Sequence, residues 1–189
     1  MAGLRSETTT DGVAREAASG GAPRWLDDEE QTTWRAFWLA TRLLSESFER
    51  DLQREQGLAM SYYEILVQLS EAPGRTLRMS ELARSSQVSR SALSHAVARL
   101  EAAGWVERRD CPTDRRGALA TLTDAGFARL ERAAPAHVES VRRHLFDQLD
   151  PADRAHLRAV SEKLVAHFVA EGTCPPPGTP AETSEEPLP

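Results

Sequence analysis

Six side chains suited to contacting nucleic acid crowd into one short stretch. Ser89, Arg90, Ser91, Ser94, His95 and Arg99 fall within the segment SRSALSHAVARLEAAG. An arginine can pair bidentately with guanine, and a serine can bond a base edge or a phosphate. A histidine can do the same, and donates to phosphate when protonated. A second cluster follows in DCPTDRRG, where Asp114, Arg115 and Arg116 stand together. One arginine at such a tip can enter a narrow minor groove, where the negative potential is strongest. A carboxylate two residues away can hold it in place. Each cluster alone also fits a merely solvated surface, on which an ion pair is worth about 0–1 kcal/mol.

The elements that must carry these groups decide between the two readings. Ser89 is a good helix cap, and Gly104 supplies a left-handed stop. Between them Leu93, Ala96, Val97 and Leu100 recur at helical spacing and face inward. At 100° per residue, Ser91, His95, Ala98 and Ala102 then point away from the core, flanked by Arg90, Ser94 and Arg99. That outward face is small and polar near its N-terminal end, as a helix entering the major groove requires. A shorter helix precedes it, about Met79 to Ser86, with Met79, Leu82 and Ala83 inward and a poor cap in Arg78. Two alternating segments follow, Trp105 to Arg109 and Ala118 to Leu122. They predict a hairpin whose long tip runs from Asp110 to Gly117.

The net charge of −6 over 189 residues argues against a nucleic-acid partner until its distribution is considered. Residues 1–30 carry a net of −4 and residues 172–189 a net of −3. Residues 75–116 hold nine arginines against five acids, a net of +4. Local charge decides where phosphate binds. No apolar run approaches the roughly 20 residues of a spanning helix, and the first residues lack the apolar core of a secretory signal. The expected compartment is the cytoplasm, with no membrane partner. The two cysteines, Cys111 and Cys174, suggest neither a disulfide framework nor a metal site. Cys111 is expected to be an exposed surface thiol in the hairpin loop. The histidines, His95, His137, His144, His156 and His167, include no i, i+4 pair of the kind a helical metal site uses. With no phosphate loop, nucleophile elbow or cysteine–histidine cluster, an enzyme is not expected. No cofactor, metal or catalytic residue is assigned.

Helices flank the middle of the chain. Asp27 and Glu30 predict the start of the first, with Leu26 able to pack back on it. Its apolar stripe runs through Trp34, Phe37, Trp38, Thr41, Leu44, Phe48 and Leu52, and Gly57 ends it. Ser61 and Glu64 form the pattern of a capping box for a second helix, closed by Pro73-Gly74. Thr123 caps a fifth helix with the stripe Phe127, Leu130, Ala134, Val138, Val141 and Leu145. Pro135 inside it predicts a kink or break. Asp150 with Pro151 starts a sixth helix, with Leu157, Val160, Leu164 and Phe168 on one side. One copy of the chain can hardly bury three such stripes, and a second copy would. Residues 1–26 and the acidic, proline-rich residues 172–189 are expected to be disordered.

The run SELARSSQVSRSALSHAVARLEAAGWVERRDCPTDRRGALATLTDAG resembles the winged helix-turn-helix of the MarR family of bacterial regulators. The matching features are the ELA of the third helix, the S-R-S and RLE of the fourth, Asp114 and Arg116 in the wing, and LT-x-x-G at the start of the fifth. The resemblance implies a mainly α fold with a small β-hairpin wing, and a winged helix-turn-helix core between long terminal dimerisation helices. It places a DNA-binding lobe at about 58–122 and dimerisation segments at 27–56 and 123–171. It implies a homodimer on a pseudo-palindromic double-stranded operator, with Ser89, Arg90, Ser91, Ser94, His95 and Arg99 facing the major groove and Asp114, Arg115 and Arg116 in the wing. It also implies a repressor relieved by a small phenolic or lipophilic ligand, for which Trp34, Trp38, Arg42, Tyr62 and Tyr63 are candidates. The family's peroxide sensors carry a reactive cysteine in the first helix, and none stands there in this chain. The alternative is a winged-helix module that binds protein and not DNA.

Overall fold

A computed structural model describes residues 23–86, 89–111 and 114–172, with the side chains of residues 114–116 excepted. The stretches expected to be disordered, 1–26 and 172–189, lie outside the described residues apart from 23–26 and 172. Cys174 lies outside them too. Contacts divide the chain between Phe37 and Trp38.

The first unit holds the start of helix α1, which spans Asp28–Gln56. The expected capping box is formed. Asp27 Oδ1 accepts the Glu30 N–H at 2.8 Å, and Glu30 Oε2 accepts the Asp27 N–H at 3.0 Å. Trp34 and Phe37 stand one turn apart with ring centres 6.5 Å from each other, and both are about half exposed.

The second unit contains the rest of α1 and all later elements. Gly57, at φ +60°, ends α1. Helix α2, Met60–Glu71, starts differently from expectation. Its N-cap is Ala59, and Ser61 makes no cap. Glu49 of α1 reaches across instead and accepts the Met60 N–H at 2.8 Å. A carboxylate from a neighbouring helix thus satisfies a first-turn donor, which local sequence cannot reveal. The turn Pro73–Arg75 that follows puts Gly74 at φ +58° and Arg75 at +54°. The left-handed region is unfavourable for arginine. Its guanidinium compensates by stacking 3.9 Å over the Phe127 ring and pairing with Asp124 at 3.1 Å.

Next come β1 (Thr76–Arg78), α3 (Met79–Ser85) and α4 (Arg90–Ala102), then β2 (Val106–Cys111) and β3 (Asp114–Leu122). The strands form an antiparallel sheet in the order β1-β3-β2. Strand β1 was not expected, since three residues between a turn and a helix are too few to show alternation. Thr76 lies opposite Thr121, and their hydroxyls meet at 3.0 Å. The hairpin strands run further than predicted, into the expected 110–117 loop. A register shift between Asp110 and Cys111 marks a bulge. Cys111 is buried at 6% exposure, against the expected surface thiol. Cys111 lies opposite Asp114 where the preceding register would put Gly117, so the regular pairing of β2 ends before it, and the alternation of β2 does not carry through to its burial.

Helix α5 spans Asp124–His144 and runs unbroken through Pro135, so the expected break is absent. Pro135 and Glu131 are both exposed, which leaves the carbonyl that lost its donor to water. A short turn, Phe146–Gln148, leads to α6, Pro151–Ala170, capped as expected by Asp150. Among the described residues α6 buries none of its own, and Leu157, Val160 and Leu164 are 39–52% exposed.

The core sits inside the lobe made by α2, α3, α4, α5 and the sheet. Leu66, Leu69, Leu82, Leu93, Val97, Leu100 and Ala120 are essentially inaccessible. Each buried aliphatic side chain contributes about 1.5–3 kcal/mol. Two polar features join this lobe to α1. Arg129, buried on α5, donates to the Gln56 carbonyl at the end of α1. Asp51, 3% exposed, accepts from Ser140 Oγ at 2.9 Å and Arg143 Nη2 at 2.6 Å, and meets His144 Nε2 at 2.8 Å. Burial would push the Asp51 carboxyl up. The hydrogen bonds from His144, Ser140 and Arg143, with the Arg143 charge, outweigh it and hold the group well below the usual carboxylate range.

Candidate nucleic-acid interface

Helix α4 is anchored by one face and leaves the other open. Leu93, Val97 and Leu100 are buried, while Ser89, Arg90, Ser91, Ser94, His95 and Arg99 are all exposed. The face expected to carry the chemistry is therefore brought together along one helix. Ala98 on the same side is half-buried. The helix start is well formed. Ser89 Oγ accepts the Ala92 N–H at 3.2 Å and lies 3.0 Å from the Ser91 hydroxyl. The first-turn amides of α4, with the partial positive charge of its dipole, thus lie beside Arg90 and two hydroxyls. That is a surface suited to phosphate and to base edges.

The charges are sorted in the same sense. Arg108 and Arg109 on β2 are held by Glu101 and Glu107, each at 2.8 Å. Among the described residues, Arg90 and Arg99 form no ion pair. The Glu101 pair spans two elements, since Arg108 donates through both Nε and Nη2 to Oε2 at 2.8 Å. It ties the end of α4 to the first strand of the wing, a link the sequence reading did not include. The backbone of Asp114, Arg115 and Arg116 belongs to β3, and their side chains lie outside the described residues.

The segments before and after helix α4 are tied to the lobe. Gln68 of α2 accepts from Ser85 Oγ at 2.5 Å and Ser86 Oγ at 3.3 Å, at the end of α3. At the far side Thr123 caps α5 by accepting the Gly126 N–H at 3.0 Å, and donates to the Gly104 carbonyl at 2.7 Å. Gly126 packs so closely on the preceding turn that a Cβ there would lie 2.1 Å from the Trp105 carbonyl oxygen. The glycine of the LT-x-x-G motif is thus a requirement of packing.

The residues expected to line a ligand site do not share one place. Tyr63 lines a cavity of about 480 Å³ between α1, α2 and α5. Tyr62 lines another, of about 210 Å³, between α2 and α4, with His95 and Arg99. Trp38 is exposed, and Arg42 pairs with Glu46 at 3.2 Å. Neither lines the larger cavity. Trp34 belongs to the first unit. The sequence reading missed Phe48, Glu64 and His137 at the larger cavity. Their signal was weak, because two are polar residues beside apolar stripes.

Comparison with known proteins agrees with this architecture. Residues 56–117 match the MarR family model. The regulator PecS of Dickeya dadantii is 33% identical over 90 residues, and the aligned stretch covers 48% of this chain. The chain spans about half of that relative's length, 54%. The regulator PapX of Escherichia coli is 30% identical over 112 residues, covering 59% of this chain and 68% of PapX. Among solved structures, Sco3205 of Streptomyces coelicolor, a MarR family transcriptional regulator crystallised in complex with DNA, is 48% identical. It superposes with a TM-score of 0.71 over 81% of this chain and 92% of its own. On a winged helix-turn-helix built from these elements, with relatives matched across it, the chain belongs to the MarR family of transcriptional regulators.

Proposed function

We propose that the protein is a homodimeric, sequence-specific regulator of transcription that binds a pseudo-palindromic double-stranded operator and acts as a repressor in the cytoplasm. The observation that carries this reading is the exposed row Ser89, Arg90, Ser91, Ser94, His95 and Arg99, backed by the buried row Leu93, Val97 and Leu100. The crystallisation of Sco3205 with DNA supports it. In this reading residues 58–122 form the DNA-binding lobe, with α4 in the major groove and Asp114, Arg115 and Arg116 carried by the wing into the adjacent minor groove. Residues 27–56 and 123–171 form the dimer. The exposed Leu157, Val160 and Leu164 of α6 support a partner surface. Among the described residues no helix is long and apolar enough to cross a membrane. The operator half-sites lie about one turn, roughly 10 bp, apart. Relief comes from a small aromatic or lipophilic ligand in the cavity beside Tyr63.

The test is DNA selection from a random pool, followed by affinity measurements across a salt series. Binding should fall steeply as salt rises, because phosphate contacts release counterions. Arg116→Ala should weaken binding to every sequence, while Arg90→Ala or His95→Ala should change which sequence is preferred. A monomeric protein indifferent to any duplex at low salt would overturn the proposal. A protein partner bound without salt dependence would instead favour an interaction module.

A further inference from the structure

The larger cavity has an electrostatic character that bears on its ligand. Phe48, Met60, Tyr63, Val67 and Val141 give it apolar walls with aromatic faces. Its lining groups that titrate below the range of tyrosine are Glu64 and His137, and among the described residues no arginine or lysine lines it. Burial pushes the Glu64 carboxyl up, and the nearby Glu49 carboxylate adds to this, so a second negative group stands close by. Burial pushes the His137 imidazole down, so at neutral pH it supplies no positive charge. Tyr63 packs on the His137 ring at 4.7 Å between centres, and Phe48 meets it edge-on at 6.0 Å.

An aromatic carboxylate entering here would lose hydration, find no cation, and face Glu64 with Glu49 behind it. A ring bearing a protonated nitrogen meets the opposite situation. Its ring lies on apolar and aromatic walls, and its charge meets the exposed Glu64 carboxylate and electron-rich ring faces. We propose that the cavity between α1, α2 and α5 takes an arylalkylamine in its ammonium form, with Glu64 as its counter-ion, and discriminates against aromatic acids. This rests on the reading of that cavity as the effector site. Glu64 also lines the smaller cavity that holds His95 and Arg99. A cation drawing the Glu64 carboxylate toward itself therefore acts on a side chain that adjoins the exposed face of α4.

Three probes with one phenol ring and a two-carbon side chain separate the effects: tyramine, 4-ethylphenol and 4-hydroxyphenylacetate. Calorimetric titration of the full chain should rank tyramine tightest and the acid weakest, at least about tenfold apart. Glu64→Gln should bring tyramine to within about threefold of 4-ethylphenol, the charge attraction being lost while the ring contacts remain. Ser45→Phe, filling the cavity from an exposed lining position, should weaken all three and serves if the Glu64 variant does not fold. Tyramine should also release DNA more effectively than the acid. An acid that binds as tightly as the amine overturns the charge preference and leaves the effector site standing. No binding of any probe at millimolar concentration overturns both. Binding unchanged by Ser45→Phe overturns the location.

Discussion

The Ser140 hydroxyl donates to the Asp51 carboxylate across 2.9 Å, and both side chains are shut away from water. With Arg143 and His144 at the same oxygen, this cluster fastens α1 to α5. Asp51→Asn removes the charge and leaves Arg143 facing a neutral amide. Arg143 is 45% exposed and can be hydrated, so the expected cost is that of weakened hydrogen bonds at a buried group, about 1–3 kcal/mol. The pH dependence has a definite sign. Because the folded carboxyl titrates well below the unfolded value of about 4, its contribution is complete above that value and fades as pH falls through the folded one. Urea unfolding of wild type and variant should therefore differ most at neutral pH. The gap should narrow below about pH 4.

Gly126→Ala tests the packing of α5 on the turn after α4. The added carbon would sit 2.1 Å from the Trp105 carbonyl oxygen and 2.7 Å from Leu122 Cδ1. The oxygen is backbone and cannot rotate aside, so the helix must move. The expected cost is about 3 kcal/mol or more. Denaturant midpoints measure it, and a midpoint equal to wild type would contradict the close approach.

Glu101→Gln separates wing placement from stability. The Glu101–Arg108 pair is more than one-third exposed on both sides, so its loss should change unfolding free energy by no more than about 1 kcal/mol. If the pair sets the angle of the wing against α4, operator affinity should fall by a larger factor than stability does. Fluorescence anisotropy beside a thermal melt gives the comparison. Minor-groove protection should weaken before major-groove protection.

Pro135→Ala should raise the melting temperature. Alanine restores an N–H to the exposed Glu131 carbonyl and removes a residue that costs an ordinary helix interior up to about 3 kcal/mol. The gain is read by circular dichroism at the helical band. An unchanged or lower melting temperature would mean that the proline shapes α5 in a way the core requires.

Much of this architecture is legible in the residue pattern, and the exceptions have one cause. Asp27, Ser89, Thr123 and Asp150 all cap the helices they were expected to cap, because each bonds an amide three residues away. Ser61 does not, because a distant carboxylate, Glu49, reaches the helix start instead. Asp51 follows Leu44 and Phe48 at stripe spacing, so an acid in a core position was visible. Its partners Ser140, Arg143 and His144 could be matched to it only by knowing that α1 and α5 adjoin. Cys111 defied its expected exposure at a break in the β2–β3 register that alternation cannot anticipate. The exposed face of α4 was readable because one helix carries it whole. The cavity lining was not, since three separate helices contribute to it.

The Asp51 cluster also bears on how the protein is made. Asp51 and Ser140 are 89 positions apart, with the whole lobe between them. During synthesis from the N-terminus, the end of α1 leaves the ribosome long before its acceptor is matched. Until then the carboxylate stays hydrated and the helix end has nothing to dock on. The central lobe is free to assemble from nearer contacts first, and the closing of this seam waits until α5 has been made.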